Sequence, residues 1–119
     1  MSKNLYENKE IFLEEIEKSS KELSETNKNI LKIILFGSIL AERFGLGSDL
    51  DILIILKSSE YERFFDRIPE FLSFFNKRVS IPVDIFPYTE DEIIKMVKTE
   101  NPFIKRILKK GKILYERNY

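Results

Sequence analysis

Cysteine, histidine and tryptophan are all missing from this chain. Without cysteine there is no disulfide framework and no zinc site built on thiolates. Without histidine, Ser-His-Asp and Cys-His catalysis are excluded, as is a histidine-ligated metal. Any acid–base or metal chemistry must run on Asp, Glu, Lys, Tyr or backbone groups. Net charge is missing too: twenty basic and twenty acidic residues cancel. No global field then draws in nucleic acid or an anionic membrane, and a nucleic-acid substrate is disfavoured. No apolar run reaches the roughly 20 residues that span a bilayer. Met1-Ser2-Lys3-Asn4 leads into a charged stretch with no apolar h-region, so a cytoplasmic location is expected. Internal repeats, low-complexity tracts and linkers are also lacking.

What remains is a chain of 119 residues, 43% hydrophobic and 34% charged. That suits one soluble globular domain, 1–119, with room for a genuine core. Its wealth of Lys, Glu and Ile hints at a thermophile. A sparse apolar stripe through Ile11, Phe12, Ile16 and Leu23 predicts a helix from about Leu5 to Glu25. Ile30 to Phe36 is a nearly continuous apolar run and predicts a central strand. Gly37 permits a tight turn, and Ser38 is placed to cap a short helix through Leu40, Ala41 and Phe44, ended by Gly45 and Gly47. Leu50 to Leu56 predicts the next strand. Ser59 and Glu62 read as a capping box for a helix carrying Phe64, Phe71 and Phe75, interrupted or kinked at Pro69. A third strand is expected over Ser80 to Phe86, closed by Pro87, with Pro82 marking an edge or a strand start. Thr89 with Glu92 is a second capping box, Asn101-Pro102 starts a last helix ending at Gly111, and Ile113 to Tyr115 adds a short strand. The fold class is α/β (α+β): a mixed sheet of three to four strands flanked by helices.

One stretch stands out. Phe36-Gly37-Ser38 is followed, after ten residues, by Asp49-Leu50-Asp51 at the head of an apolar strand. Residues i and i+2 of a strand project to the same face, so Asp49 and Asp51 would stand side by side. Two like charges about 4 Å apart repel by roughly 4 kcal/mol at an effective dielectric near 20. Such a pair persists if both stay in water, if one is protonated, or if a cation sits between them. Asp84 is a further carboxylate interrupting an apolar strand. Three carboxylates without histidine or cysteine would make a hard, all-oxygen site suited to Mg²⁺ or Mn²⁺. A pair of such ions would stabilise the attacking and leaving oxygens of an in-line displacement at phosphorus. Gly37 and Ser38 would supply backbone and hydroxyl donors to phosphate.

Gly-Ser, ten residues, Asp-x-Asp, then a carboxylate on a later strand resembles the nucleotidyltransferase superfamily related to DNA polymerase beta. So short a chain is similar to its minimal branch, the stand-alone MNT domains often encoded beside HEPN-domain proteins. The resemblance runs from about Ile30 to Phe86 and returns in the ending Leu108 to Tyr115. It implies a nucleotidyltransferase fold, with Asp49, Asp51 and Asp84 as catalytic and metal-ligating residues binding two Mg²⁺ (Mn²⁺ is an alternative). Asp84 would also help to deprotonate the acceptor. Gly37 and Ser38 would hold ATP or another nucleoside triphosphate. The implied reaction moves a nucleoside monophosphate to a hydroxyl and releases pyrophosphate; the implied role is an antitoxin that adds AMP to a HEPN-type toxin ribonuclease.

The chain departs from that pattern at one point. Many members have arginine directly after Gly-Ser and often two residues later, where this chain has Ile39 and Ala41. Arg43 is the nearby candidate substitute. Lys95, Lys98, Lys105, Arg106, Lys109 and Lys110 read as solvated helix faces, one of which could reach a nucleotide. Two other readings compete: a binding module that neutralises its partner by contact alone, and transfer to a small molecule, which would call for a homo-oligomer to complete the acceptor site.

Overall fold

The computed structural model describes residues 5–41, 44–45 and 47–118. Helix α1, Leu5–Thr26, leads into β1, Ile30–Phe36. A single 3₁₀ turn, Ser38–Leu40, precedes β2, Leu50–Leu56. A second 3₁₀ turn, Phe64–Arg67, runs into α2, Ile68–Asn76. Then come β3 (Val83–Thr89), α3 (Glu90–Lys98), α4 (Pro102–Lys110) and β4 (Lys112–Glu116). No described helix is long and apolar enough to cross a membrane.

The four strands form one mixed sheet in the order β3-β2-β1-β4. β1 is antiparallel to β2 and to β4, whereas β2 and β3 run parallel. The parallel pair needs a crossover, and the α2 segment provides it. Helices cover both faces. On one, Ile16 and Leu23 of α1 and Phe71 and Phe75 of α2 pack on Ile33, Leu35, Ile52, Ile54, Val83 and Ile85. On the other, Ile93 of α3 and Ile104 and Ile107 of α4 pack on Leu31, Ile34, Leu53 and Ile55. This double cover is why β1 and β2 read as nearly continuous apolar runs, their alternate residues serving two different cores. Full burial of a side chain such as Phe71 or Phe75 contributes about 1.5–3 kcal/mol.

Several local expectations need correction. Of the helix expected through Phe44, the described residues show only the 3₁₀ turn, with Ala41 already extended at φ −117°, ψ 161°; residues 42 and 43 lie outside the described residues. Ser38 lies inside that turn; Gly37 is its cap, with no side-chain cap hydrogen bond. The Ser59–Glu62 capping box is not formed. Ser59 Oγ accepts from the Tyr61 amide at 3.1 Å instead, and regular helix begins only at Ile68. Pro69 sits in the first turn of α2, where its missing N–H costs nothing, so the apolar stripe splits into a 3₁₀ turn and a helix. β3 runs from Val83 to Thr89, and Pro87 lies within it, paired with Ile54. β3 is an edge strand, where proline removes no ladder bond the sheet needs. The Thr89–Glu92 box and the Asn101 cap form as expected.

One tie was not anticipated. Arg67 is only 3% exposed. Its guanidinium donates to Glu92 Oε1 at 2.6 Å and to the carbonyls of Tyr61 (2.8 Å), Glu62 (3.1 Å) and Pro87 (3.0 Å). Glu92 in turn accepts from the Thr89 amide. Arg67 thereby ties the segment before α2, the end of β3 and the start of α3 into one unit.

Candidate active site

The start of β2, the start of β3 and the end of β1 meet at one end of the sheet. Asp51 is paired in register with Asp84 on the parallel neighbour and with Phe36 on the antiparallel one. Side chains of directly paired residues share a face. Packing places that face independently: Leu53, two residues after Asp51, and Phe86, two residues after Asp84, both belong to the α3/α4 core. Both carboxylates therefore point to the α3/α4 side. Asp51 is half-buried and Asp84 is exposed on the edge strand. Asp49 immediately precedes β2, held there by a turn in which Ser48 Oγ accepts from the Gly45 amide at 3.1 Å.

The electrostatics bear out the crowding. The Asp51 carboxyl is pushed from 3.8 up to about 6, first by burial, then by the charges of Asp84 and Asp49 and by sharing a hydrogen bond with Asp84. Asp84 is raised as well, by partial loss of hydration, by the charge of Asp49 and by a hydrogen bond to it, while its contact with Asp51 acts in the opposite sense. Asp51 is thus the natural holder of a shared proton when no cation is near.

Gly37 completes the group. Its φ of 87° and ψ of −157° lie in a region that essentially only glycine adopts. A β-carbon there would run into the Asp51 carboxylate, so glycine lets the backbone lie directly against that side chain. Ser38 is half-buried beside it, in a turn closed by hydrogen bonds from the Leu40 amide to the Gly37 carbonyl (3.1 Å) and from the Ala41 amide to the Ser38 carbonyl (2.9 Å). Ile39 is fully buried, so its side chain belongs to the core and not to a phosphate pocket. Arg43 lies outside the described residues.

Beneath the carboxylates, Phe36, Phe86 and Phe103 form a mutually contacting trio with ring centroids 5.4–5.5 Å apart. Two grooves flank the site. One, about 980 Å³, runs from Gly37, Leu40 and Ala41 across Phe36 and Phe103 to Arg106, Lys110 and Gly111. The other, about 730 Å³, lies beyond Asp84 and is walled by Phe64, Phe65, Ile68, Leu72, Ile81 and Phe86. Neither was visible in the sequence; Phe103, Arg106, Ile107 and Lys110 do recur at one-turn spacing, but which surface that stripe faces depends on the fold.

Three carboxylates with no nitrogen or sulfur donor are a chemically suitable set for Mg²⁺ or Mn²⁺. The upward-shifted titration of Asp51 and Asp84 is the signature of crowded anions that a divalent ion would relieve. Among the described residues, no group of three or more Asp, Glu, His or Cys side chains is drawn together closely enough to hold a metal ion.

A mixed sheet covered by helices on both faces, with paired carboxylates at its end beside a glycine turn, defines a nucleotidyltransferase-like domain. The family described as "Polymerase beta, Nucleotidyltransferase" matches residues 17–119; the chain belongs to that family. No curated protein sequence matches it. Its fold is similar to a 1.40 Å crystal structure of a candidate nucleotidyltransferase from Sulfolobus solfataricus, with a TM-score of 0.64 and 20% identity. That likeness covers 98% of this chain and 91% of the other.

Proposed function

We propose that the protein is a metal-dependent nucleotidyltransferase that moves a nucleoside monophosphate, AMP from ATP, to a hydroxyl of a partner protein. The observation that carries the reading is the in-register Asp51–Asp84 pair, with Asp51 lying against the Gly37 backbone. Asp49, Asp51 and Asp84 would hold Mg²⁺ or Mn²⁺, which supplies neutralisation of the phosphate and carboxylate charge. Gly37 and Ser38 would present amide and hydroxyl donors to the phosphates. The acceptor hydroxyl oxygen forms a bond to the α-phosphorus, the bond from that phosphorus to the bridging oxygen of the β-phosphate breaks, and pyrophosphate leaves. The hydroxyl proton passes to a carboxylate. Asp84 suits that task, being exposed to an incoming acceptor and more basic than an ordinary aspartate.

The apolar groove beyond Asp84, with Phe65 68% exposed, supports a protein acceptor over a sugar-like one. Within the family, the similarity to MNT domains suggests the antitoxin of a HEPN-type toxin ribonuclease. The test is incubation with labelled ATP and Mg²⁺ or Mn²⁺, with and without the product of the adjacent gene. Label on a hydroxyl of that product is the expected result; no transfer with either metal overturns the reading.

Burial of Ile39, at the position where the resembled pattern often has arginine, favours one alternative: neutralisation of the partner by contact, with no transfer. In that case Asp49→Asn and Asp51→Asn leave neutralisation intact, whereas the enzymatic reading expects both to abolish it while the fold survives.

A further inference from the structure

Resting on the nucleotide-transfer reading above, we propose that Arg106 and Lys110 of α4 hold the polyphosphate tail of the nucleoside triphosphate. They would provide the basic contact that Ile39 and Ala41 cannot.

Four observations converge. Phe103, Arg106, Ile107 and Lys110 are spaced i, i+3, i+4 and i+7 on α4, so they form one stripe of the helix. That stripe is one wall of the 980 Å³ groove, and the Gly37 turn is the opposite wall. Its described lining includes two cations and no carboxylate, although the whole chain has no net charge. The segregation is therefore local and selects anions. The groove also begins where the carboxylates end, since Gly37 lies against Asp51 and the Phe36–Phe86–Phe103 trio links β1, β3 and α4 beneath both. An extended polyanion reaching from the carboxylate group along this groove meets Arg106 and then Lys110.

Cations in the last turn of a helix also complement its dipole. That accounts for Lys109 and Lys110 alike. It does not account for Arg106, one turn earlier, and it predicts no difference between Lys109, which does not line the groove, and Lys110, which does. Lys105, in turn, is engaged with Glu100 at 3.7 Å.

Isothermal titration of the full chain with ATP, AMP and inorganic tripolyphosphate, each with Mg²⁺, tests the assignment. Arg106 and Lys110 are both exposed, so Arg106→Ala/Lys110→Ala should keep the thermal midpoint of the parent. Each charge-assisted hydrogen bond lost corresponds to about 10-fold or more in affinity. The double variant should therefore bind ATP and tripolyphosphate about 10–100-fold more weakly and AMP nearly as the parent does. Lys109→Ala should bind all three as the parent does, and Arg106→Lys/Lys110→Arg should retain most of the affinity. Equal ATP affinity in the parent and the double variant overturns the assignment and leaves the nucleotide reading standing. Equal losses for AMP and ATP, or a loss in Lys109→Ala as large as that in Lys110→Ala, also overturn it. A parent chain that binds neither ATP nor tripolyphosphate overturns this assignment and the nucleotide reading together.

Discussion

Asp51 and Asp84 stand opposite each other on parallel strands, the first half-buried and the second at the sheet edge. Two anions so placed oppose folding unless a proton or a cation is shared between them. Asn at position 51 keeps the shape and removes the charge. Asp51→Asn is expected to stabilise the metal-free protein at pH 7 by about 1–2 kcal/mol, discounted for the exposure of the group. That corresponds to a rise of several degrees in thermal midpoint. The same change should lower transfer by about 10²-fold or more. A lower midpoint for Asp51→Asn in chelator would contradict this account of the pair.

The pH dependence follows the same pair. Because Asp51 is raised from 3.8 to about 6, the native state holds its proton more tightly than the unfolded chain does. This contribution is fully present below about pH 4 and is lost as pH rises toward and past 6. Glu92 acts with the opposite sign. Burial alone would raise it, but the Arg67 hydrogen bond, the Thr89 amide and the Arg67 charge together bring it below 4.5, so its contribution is lost as pH falls through that lowered value. Urea titrations in chelator should show stability declining between pH 4 and 6 for the parent and a flatter profile for Asp51→Asn. A stability that rises across that interval in the parent would be the contrary result.

Gly37→Ala adds a β-carbon at φ 87° that meets the Asp51 carboxylate. Backbone strain alone costs about 1–3 kcal/mol, and displacement of Asp51 adds to it. The expected outcome is a thermal midpoint lower by several degrees together with loss of transfer. An alanine variant with the parent's midpoint and activity would show that the close approach is dispensable.

Arg67→Ala removes the donor shared by three carbonyls and Glu92. Breaking a buried, fully hydrogen-bonded charge pair typically costs about 3–5 kcal/mol, and urea denaturation should register a loss in that range. Glu92→Gln, at the more exposed end of the pair, should lose less. A change under about 0.5 kcal/mol for Arg67→Ala would mean that the three segments hold together without it.

Chelation should leave the far-ultraviolet dichroism unchanged, because both cores are apolar and stand apart from the carboxylates. Adding Mg²⁺ should raise the thermal midpoint of the parent by mass action and not that of Asp51→Asn. Unfolding on chelation would make the site structural.

The sequence alone determined β1 and β2 to the residue, because strands covered on both faces are apolar at nearly every position, Lys32 and Asp51 excepted. It also determined the caps at Thr89 and Asn101, whose hydrogen bonds are local. It expected Asp49 and Asp51 side by side from two-residue strand spacing; Asp49 lies just before β2, where its charge still acts on Asp51. Local rules failed where neighbours decide: Pro87 stays within β3 because an edge strand tolerates it, and the turn after Gly37 stays short because Ala41 is extended. Only the tertiary structure decided that Asp84 joins Asp51, that Arg67 reaches Glu92, and that Arg106 and Lys110 face the glycine turn. Each of these meetings joins residues more than ten positions apart. Strand order and helix placement set them through long-range burial, which no local pattern of side chains encodes.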